Sequence, residues 1–184
     1  MGMPDVLRDL GFDPVEVLDE IGIGIELFDD PDNRISFVTR GRMMAHCAER
    51  TGCPHFGLLV GQKAGLNAFG VVGLLAKYSS DVHSALDSLI RFMHLHVRGA
   101  TTALTVDSDL AFLSYQIYQK GAPGNEQVGS GAVAVAFNIV RELCGEGWDI
   151  EPHQGDGNRP WPPQHTSELR VSRRHRHAYA QERV

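Results

Sequence analysis

The chain has 184 residues, 42% of them apolar and 22% charged, with a formal net charge of −6. That suits one ordinary domain able to bury roughly 70% of its unfolded surface. It excludes a membrane span, which needs ~20 consecutive apolar residues, and Met1 to Leu10 lack the basic-then-apolar order of a secretory signal. The three cysteines, Cys47, Cys53 and Cys144, are too few for a disulfide scaffold, so a reducing cytoplasm is the expected compartment.

The first 35 residues predict short helices broken by turns. Val6, Leu7 and Leu10 close on Gly11, and Val15, Leu18 and Ile21 close on Gly22. Asp29-Asp30-Pro31-Asp32-Asn33 is a loop by composition. Ser36 is placed to cap a helix carrying Phe37, Arg40, Met44, Cys47, Ala48 and Thr51 at helical spacing. Gly52 stands where a left-handed residue ends that helix, and Pro54 opens the next, with Phe56, Leu59 and Val60 inside. Gly65 to Gly70 reads as a loop and Val71 to Ser79 as a further helical segment. Asp81 then caps the clearest helix, whose stripe of Val82, Ala85, Leu86, Leu89, Ile90, Met93 and Val97 runs on to Gly99.

The period changes next from helical to two. Thr101 to Asp107 and Leu110 to Tyr118 predict a hairpin turning at Ser108-Asp109, with Leu104 opposite Leu113 and Val106 opposite Ala111. Pro123-Gly124-Asn125 opens a long helix to about Leu143. It is apolar on two sides, Val128/Ala132/Val135/Ile139 and Val133/Phe137/Val140/Cys144, so it is expected between layers. Trp148-Asp149-Ile150 reads as the start of another strand. Helices followed by strand–strand–helix–strand predict an α+β fold, a helical layer on a small antiparallel sheet with one long buried helix.

The charge is uneven. Residues 1–150 hold 11 Lys/Arg against 19 Asp/Glu, and residues 151–184 hold six against four. An acidic body offers no footprint for a polyphosphate backbone. The last 34 residues carry four of the nine prolines and four of the nine histidines but only Leu169, Val171 and Val184 as aliphatic core formers. Most of that segment is expected to be mobile.

Few constellations suggest chemistry. His46, Cys47, Cys53 and His55 invite zinc, but their spacing matches no common finger, and Cys47 lies on an apolar stripe where a buried thiol is the plainer reading. His94 and His96, two apart on a helix, point about 160° away from one another and cannot share a metal. Gly22-Ile23-Gly24 and Gly129-Ser130-Gly131 lack the third glycine and preceding strand of a dinucleotide loop. No nucleophile, base and orienter form a recognisable motif, so neither a catalytic site nor a cofactor is expected. Arg173 to His177 is a short basic run better read as solvated than as a DNA contact.

Several runs carry a family resemblance in a consistent order. They are Asp30-Pro31-Asp32-Asn33-Arg34-Ile35, the stretch from His46 to Gln62, Gly73-Leu74-Leu75, Ala136-Phe137-Asn138-Ile139, and Gly147-Trp148. Residues from about 5 to 152 resemble the arabinose-binding-type N-terminal domain of AraC/XylS-type bacterial transcription regulators. The resemblance implies a cytoplasmic effector-sensing and dimerising domain, residues 1–152, that acts through an attached pair of helix-turn-helix units. After Pro152 the family pattern gives way to Arg159-Pro160-Trp161-Pro162-Pro163 and Arg173-Arg174-His175-Arg176-His177, so residues 153–184 are read as a divergent tail. The expectation is a regulator truncated before its DNA-binding half, its tail in keeping with out-of-frame translation of a high-GC gene.

The expected mechanism is a small effector entering between the helical layer and the hairpin. His96, Tyr115 and Asn138, polar groups on apolar elements, are the candidate ligand-binding residues; core hydrogen bonding is the competing role for each. The expected partners are that effector and a second protomer, either a homodimer or a heterodimer with a full-length regulator. Neither a membrane nor sequence-specific DNA is expected to be contacted.

Overall fold

The computed structural model describes residues 2–30, 33–107, 110–119, 121–145 and 166–172. Local chemistry sets the helix ends. Helices α1 (Met3–Asp9) and α2 (Pro14–Asp19) each carry a proline in the first turn, where the missing N–H costs nothing. A 3₁₀ turn, Ile25–Phe28, leads to α3 (Phe37–Thr51). The Ser36 hydroxyl accepts the Thr39 N–H at 3.0 Å to start α3. Gly52, at φ 62°, ends it, and Cys53 N–H then reaches the Ala48 carbonyl at 3.0 Å. Helix α4 (Phe56–Gln62), a 3₁₀ turn within the expected loop (Leu66–Phe69), α5 (Gly70–Lys77) and α6 (Val82–Phe92) follow.

Strands β1 (Ala100–Asp107), β2 (Leu110–Ile117) and β3 (Thr166–Ser172) form one antiparallel sheet in the order β1-β2-β3. Leu104 pairs with Leu113 and Val106 with Ala111, the register that alternation predicts. Helix α7 (Asn125–Cys144) lies in sequence between β2 and β3, and the fold is α+β. The third strand among the described residues lies further along the chain than the one read from sequence. Trp148-Asp149-Ile150 lies outside the described residues, as do the Ser108-Asp109 turn and Arg173 to His177. The strand beside β2 is Thr166–Ser172, within the proline- and histidine-rich segment, and it puts Leu169 in register with Leu113 and Val171 with Ala111. Its Glu-Leu-Arg-Val alternation is a period-two signal that the segment's overall composition outweighed.

Helix α7 is the spine. It packs on α3 and α4 to one side and on β2 and β3 to the other, which explains its two apolar faces. The α4–α7 crossing is close because glycines line it. A Cβ on Gly57 would collide with the Gln127 carbonyl, and one on Gly131 would lie 2.9 Å from the Gly57 carbonyl oxygen. Two amides on α7, eleven residues or about 16 Å apart, hold the two ends of α4. Gln127 accepts the Gly57 N–H at 2.7 Å and donates to the Pro54 carbonyl at 2.9 Å. Asn138 donates to the carbonyls of Gln62 at 3.0 Å and Ala64 at 2.7 Å. Such a short helix leaves most of its end groups unpaired unless neighbours supply partners.

The interior is divided. One apolar cluster gathers α1, α2, α3 and the start of α7 around Leu7, Leu18, Met43, Phe56 and Val128. The other gathers α5, α6, β2 and the end of α7 around Ala76, Leu86, Leu89, Leu113 and Leu143. No single helix among the described residues is long and apolar enough to cross a membrane; α4 and the stretch Leu66–Lys77 would qualify by composition only as a pair bent by 86°.

Candidate functional site

A cavity of about 430 Å³ lies where the two clusters meet. Met43, Met44 and Val128 reach it from the first cluster, and Leu86, Leu89 and Ile139 from the second. Its volume falls in the range of small-molecule sites. The apolar wall follows from the sequence pattern. The inner stripe of α3, the stripe of α6 and one face of α7 converge, and small residues on α7 (Gly131, Ala132, Ala136) leave the space between them unfilled.

A few polar groups break this wall. Thr102 on β1 and Tyr115 on β2 are register partners, so both side chains stand on the same sheet face. The Thr102 hydroxyl oxygen is buried and has no hydrogen-bond partner. Burial pushes the Tyr115 phenol above its ordinary value, while the positive charge of Arg40 pulls it the other way. Arg40 is on α3, one turn before Met43 and Met44, and lines the same cavity. Lys63, also at the wall, is engaged with Asp9 at 2.7 Å.

The three residues expected from sequence are distributed unevenly. Tyr115 and His96 line the cavity. His96 does so from a different backbone than the stripe predicts, because the α-helix ends at Phe92 and tightens into a 3₁₀ turn at Met93–Leu95. Arg34 donates to the Leu95 carbonyl at 3.0 Å and holds that turn. His96 is therefore exposed rather than buried on the stripe, and its ring meets Phe69 edge-on at 5.4 Å between centroids. With no α-helix through His94 and His96, the 160° separation expected of them does not apply; His94 Nδ1 instead lies 2.9 Å from the Arg91 carbonyl. Asn138 does not reach the cavity. It is 8% exposed, and its amide is committed to capping α4.

Arg40 and Thr102 were not singled out from sequence. Arg40 shares helical spacing with Phe37, Met44 and Cys47, but its side chain stays exposed, as arginine usually does, so the spacing alone gave no signal. Thr102 gave none, since threonine is ordinary in a strand.

His46 and Cys47, ahead of Gly52, have separate tasks. His46 Nε2 lies 3.1 Å from the Val17 carbonyl and 3.1 Å from the Glu20 carboxylate, tying α3 to α2. A hydrogen bond from Arg50 holds the Glu20 carboxyl below its usual range. The Cys47 thiol sits 3.8 Å from the Met3 sulfur, and burial pushes it up to about 11. Among the described residues, no group of three or more His, Cys, Asp or Glu side chains is placed to hold a metal.

Comparison with known proteins adds the family. Residues 11–153 match the family described as the arabinose-binding domain of AraC transcription regulator, N-term. The chain is 21% identical over 142 residues to the ornithine utilization regulator of Pseudomonas aeruginosa, a match that covers 77% of this chain but 42% of that protein. The chain thus spans under half the length of this relative. An α+β domain with a cavity between two apolar clusters, matched over residues 11–153, belongs to the N-terminal arabinose-binding domain family of AraC-type bacterial transcription regulators, a family of regulatory ligand-binding domains.

Proposed function

We propose that residues 1–152 form the effector-sensing unit of a transcription regulator and that the effector is a small organic molecule bound in the cavity between the two apolar clusters. The split core carries this reading. Domains of this size usually bury one contiguous cluster, whereas here a cavity of about 430 Å³ interrupts it. A molecule filling the gap would join the clusters and stabilise the folded state by mass action. We assign the domain to the cytoplasm, with no catalytic role, no membrane contact and no operator contact of its own.

Thermal unfolding against a panel of amino acids (ornithine included), sugars and short carboxylates tests it. A specific effector at a hundred times its Kd adds about 2.7 kcal/mol, which raises the Tm of a chain this long by roughly 5–11 °C. Ala132→Trp, which fills the cavity from α7, should abolish the shift while the variant stays folded. A panel that leaves Tm unmoved, or an equal shift in the filled variant, overturns the reading.

A second reading, self-association, is favoured by α5. Val71, Leu74, Leu75 and Tyr78 recur at i, i+3, i+4 and i+7 and are all more than half exposed. A stripe without charge is complementary to its own copy across a two-fold axis, so the occupant we assign is a second copy of this chain; the same face would serve a heterodimer with a full-length regulator. Sedimentation at micromolar concentration should give a dimer that Leu74→Glu with Leu75→Glu converts to monomer. A monomeric wild-type chain removes this reading.

A further inference from the structure

We propose that the cavity is built for a monocarboxylate with an uncharged, apolar body, held at one end by Arg40, Tyr115 and Thr102; this rests on the cavity being the effector site. Three of the polar side chains at the wall, Arg40, Thr102 and Tyr115, are associated. Thr102 and Tyr115 are paired across β1 and β2, and the Arg40 charge is close enough to act on the Tyr115 phenol. The ion pairs formed by arginine and lysine among the described residues use Arg8, Arg50 and Lys63, so the Arg40 guanidinium has no carboxylate of its own. The Thr102 hydroxyl is buried without a partner. A guanidinium lacking a counterion beside two hydroxyls free to donate is a donor set for a carboxylate, which accepts only.

The rest of the wall decides the body of the ligand. Its apolar part is Met44, Leu86, Leu89, Leu113 and Ile139. Asp30 is the one acidic side chain at the wall among the described residues, and it has an interaction of its own. A ligand with a second, cationic end would therefore meet no carboxylate at the wall but Asp30, which is already engaged. At ~30 Å³ per water-sized unit, about 430 Å³ holds roughly a dozen non-hydrogen atoms. An acid the size of decanoate or 3-phenylpropionate fits.

Calorimetric titration of the full chain with decanoate, 3-phenylpropionate, decanol, decylamine and lysine tests this. The two acids should bind at least tenfold more tightly than decanol, and decylamine and lysine should not bind. Arg40→Gln should weaken the acids at least tenfold and leave decanol within twofold. The isosteric Thr102→Val and Tyr115→Phe should each weaken the acids several-fold, and neither removes core volume. Decanol or decylamine binding as well as decanoate, or Arg40→Gln leaving decanoate unaffected, overturns the carboxylate assignment while leaving the cavity as the effector site. If Ala132→Trp, folded, still binds every ligand, the cavity itself is the wrong site.

Discussion

The amide of Asn138 offers the sharpest test of how α7 holds α4. Its NH₂ has two hydrogens, and the carbonyls of Ala64 and Gln62, at 2.7 and 3.0 Å, take them; the Gly61 carbonyl at 3.5 Å is secondary. Asn138→Ala removes both donors and leaves the carbonyls at the end of α4 facing an interior that is 8% exposed at this position. Two net hydrogen bonds at about 1 kcal/mol each, plus part of the cost of stranding the acceptors, give a loss of about 2–4 kcal/mol. For a chain this long the Tm should fall by roughly 4–16 °C. Asn138→Asp separates chemistry from volume: it has the same shape but turns a carboxylate oxygen toward two carbonyls. It should be at least as destabilised at pH 7 and should recover as the pH drops and its carboxyl takes up a proton. Urea unfolding of the three proteins at pH 7 and pH 4 reads both effects. An Asn138→Asp variant within about 0.5 kcal/mol of wild type at pH 7, inside the scatter of ordinary surface changes, would refute the capping role. Because Asn138 does not line the cavity, the Kd of any cavity ligand should also stay within twofold in Asn138→Ala wherever that variant is folded.

Other expectations follow from the same contacts. Gly57→Ala drives a methyl into the backbone of α7 at Gln127 and should cost about 1–3 kcal/mol by overpacking; an unchanged urea midpoint would mean that α4 and α7 can slide apart freely. Asp81→Ala should cost about 1 kcal/mol by uncapping α6. The Ser84 N–H holds the Asp81 carboxyl below its ordinary 3.8, so its contribution is full above about pH 4 and lost as the pH falls further. The Tm difference between the two proteins should therefore narrow steadily as the pH falls below 3.8. Cys47 and Cys144 are pushed by burial from 9.0 up to about 11. Both stay protonated in the folded chain while the unfolded chain ionises near pH 9, so their contribution is constant below pH 9 and lost between 9 and 11. Removing both as Cys47→Ala with Cys144→Ala should flatten that decline in urea unfolding, and an unchanged slope would contradict it.

Much of the fold was legible because each start and stop is a local event. Ser36, Gly52 and Asp81 act within three or four residues of themselves, and the hairpin register follows from a two-residue turn. Legibility fails where a distant partner decides. The stripe from Val82 to Val97 is continuous, yet the α-helix stops at Phe92, and the turn that follows receives Arg34 from sixty-one residues away. The strand Thr166–Ser172 needs β2 as a template, so its alternation carried little weight in a polar, proline-rich context. Asn138 and Tyr115 look alike in sequence, each a polar group on an apolar element. Only the approach of α4 separates a cap from a cavity wall.

The two apolar clusters share α7 and the β1–β2 hairpin, and this bears on how occupancy of the cavity would be felt elsewhere. Val128 on α7 belongs to the cluster of α1, α2 and α3, while Ile139, Val140 and Leu143 belong to that of α5 and α6. Between them the cavity face of α7 offers Gly131, Ala132 and Ala136, residues that give the second cluster little to grip. The two halves are joined through α7 and through the β1–β2 hairpin, which gives Ala100 and Ile117 to the first cluster and Leu113 to the second. An occupant touching Met44 on α3, Leu89 on α6 and Leu113 on β2 would couple them directly. Binding would then tighten the relation between α3 and the α5–α6 pair, whose outer surface carries the exposed stripe of Val71, Leu74, Leu75 and Tyr78. An effector whose contacts with both clusters exist only in one arrangement shifts the population toward that arrangement by its differential affinity and by no more than that. The split core is thus a poor way to make a stable domain and a direct way to make one whose shape depends on what fills it.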